Sequence, residues 1–316
     1  MKLLVTRLTQ EAQDVLGLEL RAQDGAALPP FTSGAHVDLL LPGDIRRQYS
    51  LANSPLERHR YVLGVGLAPA SRGGSAFVHQ RLAVGDVLEV GAPRALFGID
   101  PAATEHLFVA GGIGITPILS MILWCEAHAR PWKLLYCVRT RARAAYAWTL
   151  ARHHDRVQLY VDQEAAGTPP DLAGWLAGAA PGAHLYCCGP EGLMNAVGAA
   201  AGVVGIDKAA THFERFAPPE QATPAAPAGT FTVVLHRSGQ RIEVAPRQSL
   251  LDALEGANVS IPFSCREGMC RSCEVPLLEG EADHRDFVLS DEERDSHTCI
   301  LPCVSRARSA VLVLDL

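Results

Sequence analysis

The segment Ser264-Cys265-Arg266-Glu267-Gly268-Met269-Cys270-Arg271-Ser272-Cys273, together with the later Cys303, decides the fold of the C-terminal part of this chain. The spacing C-x4-C-x2-C with a distant fourth cysteine is the ligand pattern of a plant-type [2Fe–2S] cluster. Gly268 permits the positive φ angle that a tight loop around a cluster needs. A zinc site would more often show paired C-x2-C motifs or Cys/His pairs. The pattern therefore predicts a one-electron centre with four ligands: Cys265, Cys270, Cys273 and Cys303.

The composition indicates a soluble protein of several domains. A chain of 316 residues exceeds the usual size of a single core and predicts two or three domains. The net charge of −6 gives no footprint for nucleic acid or an anionic membrane, and no apolar run approaches the roughly 20 residues of a spanning helix. Nine cysteines without a recognisable signal peptide indicate a reducing compartment, so we expect a cytoplasmic location.

The texture of the sequence predicts a multi-domain fold with three parts and a linker. Residues 1–100 contain short strand-like segments separated by Gly and Pro turns, which is typical of an antiparallel β-barrel. Residues 101–217 alternate strands with helices, including one predicted helix at 143–153, and this alternation indicates an α/β domain with a parallel sheet. The Pro/Ala-rich composition of residues 218–229 predicts an extended linker. The pattern of residues 230–316 predicts a small α+β domain that its metal centre stabilises.

A glycine-rich turn indicates a nucleotide site in the second domain. The segment Phe108–Pro117 is a strand that ends in Gly111, Gly112 and Gly114 and opens a helix. Such a turn lets the backbone approach a pyrophosphate, and the helix N-terminus supplies N–H donors. The turn lacks the full G-x-G-x-x-G pattern, so on glycine count alone an ordinary strand–helix turn fits equally well.

A second turn, Cys188-Gly189-Pro190, follows a later strand of the same predicted sheet. Because ligands of open α/β sheets bind beyond the carboxyl ends of the strands, the two turns can share one crevice. Cys188 could then face a nicotinamide, whereas the preceding Cys187 reads as a small buried strand residue.

Two segments of the first domain could bind a phosphate and a flat ring. Arg47-Gln48-Tyr49-Ser50 offers a guanidinium, an aromatic face and a hydroxyl. Ser71-Arg72-Gly73-Gly74-Ser75 precedes a predicted helix and forms a second phosphate cradle. Each segment alone also matches an ordinary strand or turn, so only the two together indicate a binding site.

With these motifs in place, the chain resembles the phthalate dioxygenase reductase family, which includes the vanillate demethylase reductases. The family has a flavin-binding barrel, an NAD-binding domain and a C-terminal plant-type ferredoxin domain, in that order. The resemblance covers essentially the whole chain and rests on six motifs: Arg47-x-Tyr49-Ser50, Arg72-Gly73-Gly74-Ser75, Gly111–Pro117, Cys188-Gly189-Pro190, His212–Phe216 and the four cluster cysteines.

The resemblance implies FMN in the barrel. The flavin phosphate would meet Arg47, Gly73, Gly74 and Ser75, while Tyr49, Ser50, Val65 and Gly66 would line the ring. Thr116 would lie near flavin and nicotinamide, and Phe216 would either stand by the flavin face or be a core aromatic. Glu214 is either a polar group at the hydride-transfer site or, as we prefer from sequence, a solvated surface carboxylate. The family pattern makes Cys303, not Cys299, the fourth cluster ligand, and Asp283–Asp286 is expected to be a surface loop.

The resemblance also implies a direction of electron flow. NADH supplies two electrons together and the cluster accepts one, so a flavin that can do both belongs between them. The resemblance implies that the protein is the reductase component of a Rieske-type oxygenase. It also implies a monomer whose partner is the terminal oxygenase. Alternatives are a reductase for a cytochrome P450 or small carrier, and a non-catalytic redox module.

The arginines and the resemblance favour different nucleotides, and we expect NADH. Arg139, Arg141 and Arg143 follow a parallel strand, where the adenosine ribose should lie, and by the general rule basic residues there favour NADP. The family resemblance implies NADH, with Arg139 among the residues that bind it.

Overall fold

The computed structural model describes residues 1–69, 71–218 and 229–316 and divides the chain into two compact units, Met1–Arg215 and Phe216–Leu316. Most of the predicted linker at 218–229 lies outside the described residues. The domain boundaries predicted from the sequence stay predictions. Among the helices of the described ranges, none is long and apolar enough to cross a membrane.

The first unit begins with a six-stranded antiparallel sheet in the order β4-β3-β6-β1-β2-β5. A bridge between Leu51 and Leu63 brings the end of β4 to β5 and closes the sheet into a barrel. Alternate strand residues such as Leu18, Leu20 and Leu63 fill its interior. The elements are β1 (Lys2–Ala12), β2 (Val15–Ala22), β3 (His36–Leu41), β4 (Ile45–Ser50), β5 (Tyr61–Gly66), α1 (Gly74–Gln80) and β6 (Val87–Val90).

The remainder of the first unit is a five-stranded parallel sheet in the order β11-β10-β7-β8-β9, with the first glycine turn after β7 and the Cys-Gly-Pro turn after its neighbour β10. The strand β11 was missed from sequence. The elements are β7 (His106–Gly111), α2 (Ile115–Ala127), β8 (Trp132–Val138), α3 (Ala147–Leu150), β9 (Val157–Val161), α4 (Leu172–Leu176), β10 (His184–Cys188), α5 (Glu191–Val204) and β11 (Thr211–Glu214).

The predicted helix at 143–153 is wrong as a single element. Residues 141–143 and 151–153 form separate 3-10 turns around the four-residue α3. Tyr146 has φ 57°, a left-handed conformation that ends any helix arriving from Arg143. The burial of its aromatic ring outweighs local helix propensity, because Tyr146 is only 5% exposed.

The second unit is an α+β domain whose main sheet has the order β13-β12-β18-β14-β16. Its elements are β12 (Phe231–Leu235), β13 (Arg241–Val244), α6 (Leu250–Gly256), β14 (Val275–Glu279), β15 (Ala282–Asp283), α7 (Asp291–Ser296), β16 (Cys299–Ile300), β17 (Arg306–Ala307) and β18 (Val311–Leu314). With the antiparallel and parallel sheets of the first unit, it confirms the predicted multi-domain fold class.

Candidate functional site

The cysteine loop of the second unit lies between α6 and β14, and its thiols are close to one another. Contacts join Cys265 to Cys270, Cys273 to Cys303, and Cys265 to Cys303. These contacts link all four thiols into one group, as the four protein ligands of a single [2Fe–2S] cluster would be.

Backbone N–H groups of the loop point at a ligand sulfur. Glu267 and Met269 donate to Cys265 Sγ at 3.3 and 3.4 Å. The thiols of Cys270 and Cys303, followed by these N–H groups, hold the pKa of Cys265 well below its ordinary value. Such hydrogen bonds stabilise thiolate ligands and tune the potential of a cluster. The donor set therefore fits the group that the spacing predicts.

The loop reaches this shape through three residues in the left-handed region. Gly268 has φ 70°, which confirms its predicted role, and a Cβ there would lie 2.7 Å from Val304 Cγ2. Arg266 and Arg271 have φ 57° and 54° although neither is glycine. Left-handed backbone costs about 1 kcal/mol for such residues, so other contacts must offset it.

Ion pairs provide those contacts. Arg266 donates to Asp252 and Glu255 on α6 at 2.8 and 2.7 Å. Arg271 donates to Glu274 at 2.6 Å and to Glu293 on α7 at 2.8 Å. Both arginines directly follow a ligand cysteine, so the loop is tied to a helix on each side. Sequence reasoning missed these arginines because Asp252, Glu255 and Glu293 are distant from them in the chain.

The expected surface loop at Asp283–Asp286 is wrong for two of its residues. The Asp286 side chain is fully buried and that of His284 is 5% exposed. Asp286 accepts hydrogen bonds from Val288 N and Leu289 N, and the neighbouring Phe287 N donates to Gly268 O at 3.0 Å. This segment therefore packs behind the cysteine loop and supports it.

In the first unit, the two predicted phosphate segments of the barrel lie together. Arg47 Nη2 donates to the carbonyl of Arg72 at 2.7 Å. A Cβ on Gly74 would lie 2.5 Å from Arg47 Cγ, so only glycine allows the arginine stem to cross the start of α1. Gly73 has φ 90°, and Ser75 Oγ accepts from Ala68 N at 3.2 Å. This cradle of a guanidinium, glycines and a hydroxyl fits a phosphate.

The residues predicted to line the ring occupy β4 and β5, next to this cradle. Burial raises the pKa of Tyr49 to about 12, an effect that Arg47 partly offsets, so the phenol stays neutral. Ser50 and Val65 are buried, and the Val65 carbonyl lies 2.8 Å from Nε2 of His79 on α1. His79 was missed from sequence, where nothing distinguishes it from a surface helix residue.

The two turns at the carboxyl edge of the parallel sheet touch each other. A Cβ on Gly111 would lie 2.5 Å from Pro190 Cδ and 3.1 Å from Gly189 Cα. A Cβ on Gly114 would overlap the carbonyl oxygen of Cys188. Gly112 has φ 52° and open space around it. The structure thus brings both predicted nucleotide turns into one crevice, whose glycine backbone fits a pyrophosphate.

Glycines also allow the barrel to approach this crevice closely. A Cβ on Gly64 of β5 would lie 2.6 Å from Thr116 Cγ2 and 2.7 Å from the Tyr146 hydroxyl. Gly66, the next residue on that face, meets Ile113 at 3.5 Å. The outer face of β5 therefore rests on the glycine turn and the start of α2, and Thr116 packs against Gly64 of that strand.

Glu214, Ser50 and Cys188 meet at the same junction. The Glu214 carboxyl is hydrogen-bonded to Ser50, and its Oε2 is buried without a hydrogen-bond partner in the described residues. Burial raises the pKa of Glu214 to about 8, against the lowering effect of Ser50. Burial, then Glu214, raises the pKa of Cys188 well above its ordinary value. The expectation of a solvated Glu214 is wrong, because β11 carries it to the barrel.

This burial predicts a pH effect on stability. Between pH 4.5 and about 8 the folded protein keeps a proton on Glu214 that the unfolded chain releases, so Glu214 makes folding less favourable as pH rises. Glu214→Gln, which does not titrate, should gain about 4 kcal/mol in relative unfolding free energy between pH 5 and pH 9. Denaturant unfolding of the parent, the variant and the exposed control Glu89→Gln measures it. A difference that stays constant with pH would refute a buried, proton-holding Glu214.

Two other predicted site residues are exposed. Arg139 is exposed beyond β8, where its carbonyl accepts from Gln163 N at 3.1 Å. Phe216 is 47% exposed and is the first residue of the second unit. Their roles stay predictions.

Comparison with known proteins places this geometry in a family. Residues 233–308 match the 2Fe-2S iron-sulfur cluster binding domain, and residues 93–211 match the N-terminal domain of the dimethylamine monooxygenase subunit DmmA-like family. The chain is 47% identical to the phenoxybenzoate dioxygenase subunit beta of Ectopseudomonas oleovorans, over 96% of this chain and 94% of that one.

A solved structure of phthalate dioxygenase reductase matches this chain with a TM-score of 0.74. That structure is described as a modular structure for electron transfer from pyridine nucleotides to [2Fe–2S]. It has 39% identity and covers all of this chain and 98% of its own. This chain belongs to the phthalate dioxygenase reductase family. Like the family, it is an NADH-dependent oxidoreductase that uses FMN and a [2Fe–2S] cluster and serves as the reductase component of an oxygenase system.

A second structural match concerns the alternative acceptor. An intact type IV self-sufficient cytochrome P450 monooxygenase matches with a TM-score of 0.89 and 38% identity. The match covers all of this chain and 41% of that chain, so this chain spans less than half of the P450 protein's length.

Proposed function

We propose that electrons enter this protein at the junction of barrel and parallel sheet and leave it from the cysteine loop toward a Rieske-type terminal oxygenase. The observation that carries the proposal is the contact of Gly64 with Thr116 and Tyr146. It brings the strand that we assign to the flavin ring next to the start of α2, which supports a flavin site and a nucleotide site close enough for hydride transfer.

The proposed roles follow from the chemistry of each group. Arg47, Gly73, Gly74 and Ser75 hold the FMN phosphate, and Tyr49, Ser50, Val65 and Gly66 position its ring. Gly111, Gly112, Gly114, Gly189, Pro190 and Arg139 bind NADH, while Thr116, Cys188 and Phe216 shape the transfer site. When bound, FMN accepts a hydride and releases electrons singly, which connects NADH to the cluster.

The buried groups at the junction keep this site free of negative charge. A neutral Cys188 thiol and a protonated Glu214 at pH 7 place no fixed negative charge against the nicotinamide. Excluding water there protects a reduced site from wasteful side reactions. Cys265, Cys270, Cys273 and Cys303 hold the cluster that delivers single electrons to the partner.

We also infer a cytoplasmic monomer. All nine cysteines lie within the described residues and none forms a disulfide, which supports a reducing compartment. Sedimentation of the holoprotein at micromolar concentration should give the mass of one chain. A dimer would contradict the inference.

The acceptor is tested by mixing NADH-reduced holoprotein anaerobically with a Rieske-type oxygenase component or with a cytochrome P450. We expect reduction of the Rieske centre within a catalytic turnover, as the similarity to dioxygenase components supports. Faster reduction of the P450 haem would favour the alternative, for which the P450 fusion is the specific observation. Reduction of neither would overturn the proposed acceptor class.

A further inference from the structure

The arginine-rich segment after β8 bears on the choice between NADH and NADPH. It lies at the carboxyl edge of the sheet, where the adenosine ribose binds in doubly wound folds. An acidic residue there suits the 2′-hydroxyl of NAD, whereas a free arginine can accommodate the 2′-phosphate of NADP. By this rule, three arginines would favour NADPH, whereas the protein is NADH-dependent.

The structure resolves this conflict through carboxylates that hold two of the arginines. Arg141 Nε and Nη2 donate to the two carboxylate oxygens of Glu164 at 2.6 and 2.7 Å. Arg143 pairs at 2.8 Å with Asp14, at the turn between β1 and β2. A bidentate pair fixes the orientation of a guanidinium and balances its charge, so Arg141 in this structure is a paired cation and not an isolated one.

The backbone explains why Glu164 reaches Arg141. The segment after β9 is joined to the segment after β8 by two hydrogen bonds, from Asp162 N to Val138 O at 2.9 Å and from Gln163 N to Arg139 O at 3.1 Å. These two hydrogen bonds continue the parallel pairing beyond both strands. They put the next residue, Glu164, beside the 3-10 turn that carries Arg141. Both side chains are exposed, Arg141 at 67% and Glu164 at 50%, so the pair is accessible to a ligand from solvent.

We propose that Glu164 is a specificity-determining residue that disfavours NADPH by withholding Arg141 from the 2′-phosphate. Its carboxylate neutralises the guanidinium and occupies its donor groups, which removes the cation that would bind the 2′-phosphate. Asp14 has the same effect on Arg143 from the barrel side. The inference rests on the proposed nucleotide site and adds to it the group that selects the nucleotide.

The test is flavin reduction by NADH and by NADPH in holoprotein carrying Glu164→Gln. Glutamine keeps the size of the side chain and removes its charge. We expect the ratio of kcat/KM for NADPH to that for NADH to rise about tenfold, equivalent to about 1.4 kcal/mol, mainly through a lower KM for NADPH. Adding Arg141→Ala to this variant should abolish the gain, because the freed arginine is what binds the phosphate.

Asp315→Asn is the matched control. Asp315 forms a similar exposed pair with Arg237 in the second unit, at 3.0 Å, and its loss should leave the ratio unchanged. An unchanged ratio in Glu164→Gln, or a gain that survives Arg141→Ala, would overturn the inference while NADH still reduces the flavin. Failure of the parent protein to be reduced by either nucleotide would instead refute the proposed function.

Discussion

Cys303→Ser is expected to lower NADH-driven reduction of cytochrome c by at least about 100-fold and to leave NADH reduction of the flavin within about twofold of the parent. The physical reason is the division of labour between the two units. Cys303 contacts Cys273 and Cys265 in the second unit, whereas the crevice and phosphate cradle lie within Met1–Arg215. The measurement combines steady-state cytochrome c assays with anaerobic stopped-flow absorbance and an EPR spectrum of the reduced cluster.

Cys299→Ser is the matched control for this variant. Cys299 is four residues away, pairs with Pro276 in β16 and β14, and has a pKa raised to about 11 by burial, so it is a neutral packed thiol. We expect it to keep the cluster spectrum and the cytochrome c rate. Loss of the cluster in Cys299→Ser but not in Cys303→Ser would refute the ligand assignment. Equal loss of flavin reduction in Cys303→Ser would refute the separate working of the units.

Gly114→Ala is expected to have the second large effect, a fall of about 100-fold in kcat/KM for NADH at the flavin-reduction step. The added methyl group would overlap the Cys188 carbonyl, which is backbone and cannot rotate away. The two turns must then separate, at a cost of about 1–3 kcal/mol in stability, and the nucleotide crevice loses its shape. Stopped-flow flavin reduction and thermal unfolding measure the two consequences.

Two other glycines make this prediction specific. Gly112→Ala adds a methyl group into open space and strains only a φ of 52°, at about 1 kcal/mol, so its kinetic effect should be at least tenfold smaller. Gly202→Ala, within α5 and without close neighbours, should stabilise the protein by up to about 1 kcal/mol and leave kinetics unchanged. Equal kinetic losses in Gly114→Ala and Gly112→Ala would contradict the close-approach explanation.

The features that could be predicted from the sequence are those with a fixed local geometry. The cysteine spacing limits the fold around it, since three ligands within nine residues must wrap one side of a small cluster. The contact between Gly111 and Gly189 follows from topology, because parallel strands place their carboxyl ends at the same edge.

The features that could not be predicted depend on contacts between distant segments. Glu214 looks like a surface carboxylate until β11 joins the sheet edge and brings it to Ser50. The pairing of Arg141 with Glu164 reverses the conclusion that an arginine count suggests, and it depends on the hydrogen bonds beyond β8 and β9. The break before α3 depends on burial of Tyr146, which no helical period in the sequence reveals.

The central claim is that NADH reduces the cluster through the flavin. An anaerobic NADH titration of the holoprotein, monitored by absorbance and EPR, tests it most directly. Flavin takes two electrons and the cluster one, so complete reduction should use about three electrons, or about one and a half NADH per chain. In protein stripped of flavin, the cluster should stay oxidised when NADH is added. Reduction of the cluster by NADH without flavin, or a cluster that stays oxidised in the intact holoprotein, would contradict the account.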